Sequence, residues 1–313
     1  MKTLTSIGDS QTDYTASYGV RASDTWTTVL AKLLGTTTWQ GRGFGISGDT
    51  STQNLARADV LFQFDAPTIA VIAIGVNDPG ASIATATTQA NIQTLIMAAK
   101  HKVVGRGAGL GGGITAATAS VLPAGGRLGE RYVVLSDTST TGGAAGYHSS
   151  HAATITGSVT ADANGQKLAV WENRYPLAGE AGWGRVAKTG AAPTLGASKI
   201  IVVPPPYRNW TTGGDTPSTP DATNATLRGA LSAAVTAEAV TVGGLPTVIY
   251  SDLYAFLKAR IVGGTDPDFS SVSYDQTRSW HYVNSNQHYS AYGHALQAQK
   301  IYADIVTNWP AVI

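Results

Sequence analysis

Four short segments carry side chains and N–H groups of the types that acyl chemistry uses. Gly8-Asp9-Ser10 follows a strand-like run at the start of the chain. A serine at a tight strand-to-helix turn exposes its hydroxyl and places its own N–H near a helix start. Taken alone, the triplet reads first as an Asp/Ser helix cap. Gly45-Ile46-Ser47-Gly48-Asp49-Thr50-Ser51 offers a glycine whose N–H can face a cleft with no side chain in the way. Its plain alternative is an ordinary glycine turn. Gly75-Val76-Asn77-Asp78 supplies an uncharged amide donor for a developing oxyanion, or an Asx turn ahead of Pro79. His288, in His288-Tyr289-Ser290-Ala291-Tyr292-Gly293-His294, can act as a general base near neutral pH. A nucleophile, two oxyanion donors and a base, in the order Ser, Gly, Asn, His, are the parts of an acyl-transfer site.

The elements that must position these groups alternate. Residues 2–7 read as a strand, and Asp24 as the cap of a helix through Leu34, with Trp26, Val29, Leu30 and Leu33 at helical spacing. Residues 69–74 (IAVIAI) form a continuous apolar run, as a strand covered on both faces does. Helical pattern follows over 87–102. It returns after a strand at 199–203 (KIIVV) as helices over 225–240, 253–261 and 290–308, with a further strand at 247–250. Strands alternating with helices imply a doubly wound, flavodoxin-like α/β fold: a mostly parallel five-stranded sheet with helices on both faces. Ligand sites in such sheets lie beyond the carboxyl ends of the strands, where Ser10, Gly48, Asn77 and His288 are expected.

Residues 104–196 break the pattern with glycine-rich, Thr/Ser-rich sequence and short strand signals at RYVVLSD, ATITGSVTA and KLAVWEN. They read as a β-rich subdomain inserted into a core made of 1–103 and 197–313; closure entropy tolerates such insertions because it grows slowly with length. Tyr147, Trp171, Tyr175 and Trp183 cluster there, as local core or as a platform for a sugar ring. Residues 107–112 fit a GxGxxG pattern, but no helix follows and no acidic ribose partner is evident, so they read as a hinge. His148 and His151 lack a nearby acidic ligand and do not read as a metal pair. Asp266 and Asp268 read as turn residues, and 211–221 as a surface loop.

Composition narrows the function class. The 313 residues are 43% hydrophobic and 13% charged, with 21 basic against 20 acidic side chains, so no basic face collects nucleic acid or an anionic membrane. The absence of cysteine excludes thiol catalysis and cysteine-based metal centres. No run approaches the length of a membrane-spanning helix, and strand-like sequence begins at once, with no leader pattern. The charge-poor, Thr/Gly-rich insert favours an extracellular or virion-associated setting over a cytoplasmic one.

On the residues quoted, the chain resembles the SGNH (GDSL) hydrolase family. Gly8-Asp9-Ser10 resembles its first block, Ser47-Gly48-Asp49-Thr50 the second, Gly75-Val76-Asn77-Asp78 the third, and His288 with Gly293 the last. The resemblance implies Ser10 as nucleophile and His288 as base. It implies an oxyanion hole of the Ser10 and Gly48 N–H groups and the Asn77 side chain. No cofactor and no metal are implied, and the partner is a small-molecule or glycan ester with a short acyl group, O-acetyl carbohydrate among them. One position departs from the family: the Asp usually found three residues before the histidine is Ser285 here. Three arrangements follow: a Ser10–His288 dyad steered by a backbone carbonyl, a substitute acid such as Asp275, or feeble catalysis. The first is preferred, because a carbonyl can accept the imidazole Nδ1–H and fix the tautomer. Asp9 is a further supporting residue. The alternatives are a non-catalytic carbohydrate-binding or adhesion protein on the same scaffold, favoured by Ser285, and a lysophospholipase or thioesterase.

Overall fold

The computed structural model describes residues 1–13, 20–63, 67–101, 120–121, 131–134, 147–148, 154–155, 169–173, 183–186, 197, 199–207, 218–239, 241–242, 244–262, 282–283 and 288–313. Its core alternates β1 (Lys2–Gly8), α1 (Trp26–Gly35), β2 (Trp39–Gly45), α2 (Ser51–Gln63), β3 (Ile69–Ala73) and α3 (Thr85–His101). It resumes with β4 (Lys199–Val203), α4 (Ser218–Glu238), β5 (Val248–Tyr250), α5 (Leu253–Val262) and α6 (Ala291–Asn308). The five strands form one parallel sheet in the order β5-β4-β3-β1-β2, the flavodoxin-like order that strand–helix alternation predicts.

Side-chain alternation along the strands divides the core into two apolar layers. Ala70 and Ile72 of β3, with Ile200 and Val202 of β4, pack with residues of α3 and α4. Ile69, Val71, Ile201 and Val203 face the opposite way, toward Leu30 of α1, Leu257 of α5 and Ile301 of α6. The central strands are buried on both faces, which is why they read as unbroken apolar runs. The strand register matters most for the site. Gly8 lies level with Gly45 on one side and Ala73 on the other, and Ala73 with Val203. All four strands therefore end at one edge, and Ser10, Gly48 and Asn77 follow two, three and four residues beyond it.

Several elements differ from the sequence expectation. Thr25, not Asp24, occupies the N-cap position of the first helix, without a side-chain capping bond, and Asp24 instead closes a short 3-10 turn over Ala22–Asp24. α2 has no counterpart in the apolar periodicity, because its inward positions include the buried polar Ser51 and Asn54. α4 begins at Ser218, inside the stretch read as loop, and Pro220 falls in its first turn, where a missing N–H costs nothing.

After the segment that follows α3, the chain rejoins the core beside the end of that helix. Ala197 N donates to the Ala99 carbonyl at 2.8 Å, and Lys199 pairs level with Ile69. The segment's described residues include strands at Arg131–Val134, Tyr147–His148, Ala169–Asn173 and Trp183–Val186, which join in one antiparallel sheet. Of ATITGSVTA, only Thr154–Ile155 is described, and it is a strand. The 107–112 stretch, Tyr175, His151, Asp266 and Asp268 lie outside the described residues.

Candidate active site

The turn that presents Ser10 is built by Asp9. Its carboxylate Oδ1 accepts the Gln11 N–H at 2.9 Å, and its carbonyl accepts the N–H groups of Thr12 and Asp13 at 3.0 and 2.9 Å. Asp9 is 2% exposed, so these bonds form away from competing water and hold the turn firmly. Ser10 itself is 8% exposed. The turn sits directly on β2. A Cβ at Gly45 would lie 2.1 Å from Asp13 N and 2.5 Å from Asp9 O, so only glycine lets the two backbones approach.

The second segment turns sharply after β2, with Asp49 N donating to Ile46 O at 3.1 Å. Gly48 adopts φ +82°, a conformation open to glycine at no steric cost. Nothing lies within 4 Å of the position its Cβ would take, so the glycine faces open space. Ser47 N donates to Asp13 Oδ2 at 3.2 Å and ties this turn to the serine turn. Burial raises the Asp13 carboxyl above its ordinary value, against the lowering effect of that bond and of Arg57.

The third segment carries Asn77, whose Nδ2 donates to the Asp49 carbonyl at 2.9 Å. One of its two N–H bonds is thereby committed, and the planar amide sets the direction of the other. Asp78 anchors the segment from beneath. It is fully buried, and its carboxylate accepts from Ser51 N at 2.8 Å, from the Ser51 hydroxyl and from Thr88 Oγ1 at 2.6 Å. Asn91 Nδ2 extends the network to Ser51 Oγ at 2.9 Å. Each group here has a partner, which matters because an unsatisfied buried polar group costs about 1–3 kcal/mol.

His288 pairs with Val283 in a two-residue antiparallel ladder, three residues before α6. Ser290 caps that helix, its hydroxyl accepting the Gly293 N–H at 3.2 Å. Ser290→Ala is expected to lower stability by about 1 kcal/mol, the usual worth of such a cap, read as a shift of the urea midpoint at unchanged slope. His294 plays another part. It is 5% exposed, its Nδ1 accepts the Trp26 N–H at 3.3 Å, and its ring meets Tyr289 edge-on at 5.3 Å. It is a core residue joining α6 to α1.

A narrow cleft lies at the carboxyl ends of β1, β3 and β4. Asp9 and Gln11, which flank Ser10, line it together with Tyr289, which follows His288; Ile74, Val76 and Pro205 supply apolar wall. The neighbours of the two candidate catalytic residues thus share one space. Ser285 and Asp275 lie outside the described residues. Tyr147 pairs with Gly184, Trp171 with Tyr132 and Arg185, and Trp183 with His148 and Asn173, all within the antiparallel sheet of the insert. Sequence reading missed Asp78 as the buried anchor and Arg57, described below; neither is signalled by spacing, because their partners are far away in the chain.

A flavodoxin-like sheet thus carries a serine, a left-handed glycine and an asparagine amide at adjacent strand ends. The GDSL-like lipase/acylhydrolase family model matches residues 6–141, a span holding Ser10, Gly48 and Asn77. Over that span, less than half of its length, the chain is similar to the GDSL-like lipase/acylhydrolase family. It is 34% identical over 101 residues to esterase TesA of Pseudomonas aeruginosa, a match covering 32% of this chain and 49% of that protein. The chain thus matches about half the length of this relative. Among solved structures, an acetyl-xylooligosaccharide esterase from Geobacillus shares the fold with a TM-score of 0.51 at 13% identity, covering 98% of this chain and 95% of the other. A lipase/acylhydrolase from Enterococcus faecalis gives a TM-score of 0.49 at 14% identity, covering 97% and 95%.

Proposed function

We propose that the protein hydrolyses short-chain carboxylic esters through an acyl-enzyme on Ser10. The observation that carries this reading is the Asn77 amide, held by the Asp49 carbonyl at 2.9 Å beside Gly48. An amide fixed in this way, next to a glycine N–H and a serine turn, is a preorganised pair of donors for negative charge. Such donors are worth about 3 kcal/mol each in measured oxyanion holes.

In the proposed reaction, Ser10 Oγ attacks the ester carbonyl carbon as His288 takes the hydroxyl proton. The oxyanion forms against the Ser10 and Gly48 N–H groups and Asn77 Nδ2. His288 then gives its proton to the departing alkoxide as the ester C–O bond breaks. Water attacks the acyl-enzyme with His288 again as base, and Ser10 leaves with that proton while the carboxylic acid departs. With serine at 285, Ser10 and His288 work as a dyad without a carboxylate at that position.

O-acetyl carbohydrate is the substrate class this reading favours, and residues 104–196, as an inserted β-rich subdomain, would supply the sugar-binding surface with Tyr147, Trp171 and Trp183. The return of the chain to Ala99 at Ala197 supports reading that segment as an insertion.

The test is hydrolysis of p-nitrophenyl esters from acetyl to decanoyl, with mass mapping of the adduct left by a fluorophosphonate. Turnover of acetyl and butyryl esters, falling with chain length, with the label on Ser10, is the expected result. No turnover at any length, with no adduct, would instead favour a carbohydrate-binding protein on a hydrolase scaffold. Turnover rising toward decanoyl would favour a lysophospholipase or thioesterase.

A further inference from the structure

Arg57, on the second turn of α2, reaches across the site's foundations. Its side chain is 21% exposed, and that of its partner Asp49 is 9% exposed. The guanidinium donates from Nε to Asp49 Oδ2 at 2.9 Å, from Nη1 to the Phe44 carbonyl at 3.0 Å, and from Nη2 to the Gly8 carbonyl at 3.0 Å. Asn54 Nδ2 reinforces the same points, donating to the Gly8 carbonyl at 3.2 Å and to Asp49 Oδ2 at 3.0 Å.

Each contact bears on a different oxyanion donor. Gly8 is the last residue of β1, two before Ser10. Phe44 is the penultimate residue of β2, from whose end the Gly48 turn departs. Asp49 follows Gly48, and its carbonyl is the group that holds Asn77 Nδ2. One planar cation thus fixes the strand ends or turns from which all three donors hang. These contacts use both sides of the guanidinium fork, which a lysine's single point charge does not reproduce.

We propose that Arg57 is a positioning residue for the oxyanion hole, acting through Gly8, Phe44 and Asp49 rather than by touching substrate. This rests on the ester-hydrolase reading. Donor placement affects the transition state more than substrate binding, so its loss falls on kcat and spares KM. Small displacements suffice, since misplacing a reacting group by 1 Å can cost about a hundredfold.

The experiment uses Arg57→Met and Arg57→Lys in the full chain, the lysine variant retaining the charge beside Asp49 should the methionine variant not fold. Steady-state kinetics on p-nitrophenyl acetate is paired with NMR measurement of hydrogen exchange at the Asn77 side-chain amide. The expected result is a fall in kcat of about tenfold with KM within about twofold, and Asn77 exchange about tenfold faster. A folded variant with unchanged kcat and unchanged Asn77 exchange overturns the proposal. So does a kcat loss matched by an equal loss of folded protein. A wild type that cleaves no ester sinks the hydrolase reading instead, and the exchange rate then decides on Arg57 by itself.

Discussion

Ser10→Ala is expected to lower kcat for p-nitrophenyl acetate by a factor on the order of 10⁵, and His288→Ala by a similar factor. The double variant is expected to be no slower than either single one, because nucleophile and base act as a unit and their losses do not add. The size follows from two bounds. In a serine hydrolase with an oriented base, removing Ser or His costs about 10⁶ in kcat, whereas removing the orienting Asp alone costs about 3 × 10⁴. Ser285 supplies no carboxylate, so part of that second factor is already absent here. Much of an Asp's value lies in holding the imidazole in the correct tautomer, and a carbonyl acceptor does the same without charge. The expected loss therefore stays close to the upper bound. A drop of only about 10² would show that nothing orients His288, since the oxyanion hole alone would then supply most of the remaining rate. An unchanged rate in His288→Ala would remove the base assignment altogether.

The parts of this site were legible in the sequence to different degrees, for physical reasons. The central strands were plain because both faces are buried: Ile69–Ala73 and Lys199–Val203 carry no alternation to misread. Ser10, Gly48 and Asn77 were legible because strand ends converge on one edge, so residues just past apolar runs must meet there. β2 was harder to place, because Gly41, Gly43 and Gly45 dilute its apolar pattern. Those glycines have a spatial cause: a Cβ at Gly41 would meet the Thr27 carbonyl at 2.4 Å, and one at Gly45 the serine turn. α2 shows no apolar pattern because Ser51 and Asn54 bury polar groups whose partners include Asp78, Gly8 and Asp49. Long-range hydrogen bonds leave no periodic trace. The Arg57 contacts are the same case, with partners 8, 13 and 49 residues away.

His294 shows how two histidines six residues apart diverge, and it yields the second large effect. Burial pushes its imidazole down to about 4, against the opposing pull of Asp24. The folded protein therefore keeps His294 neutral, with Nδ1 accepting the Trp26 N–H. The unfolded chain takes up a proton near the ordinary value of about 6.5. Between these two values the unfolded state binds the extra proton, so stability falls as pH falls. The contribution is fully present above pH 6.5 and lost on the way down to about pH 4. At about 1.4 kcal/mol per pH unit, the loss from this one group comes to about 3 kcal/mol. Carboxylates titrate in the same range, so the informative quantity is the difference between wild type and His294→Gln, whose amide oxygen can still accept from Trp26. Urea unfolding at pH 7 and pH 4 should show the wild type's advantage shrinking by about 3 kcal/mol. A difference that stays constant between the two pH values would mean that His294 titrates alike in both states. The buried contact between α1 and α6 would then not be what keeps its ring neutral.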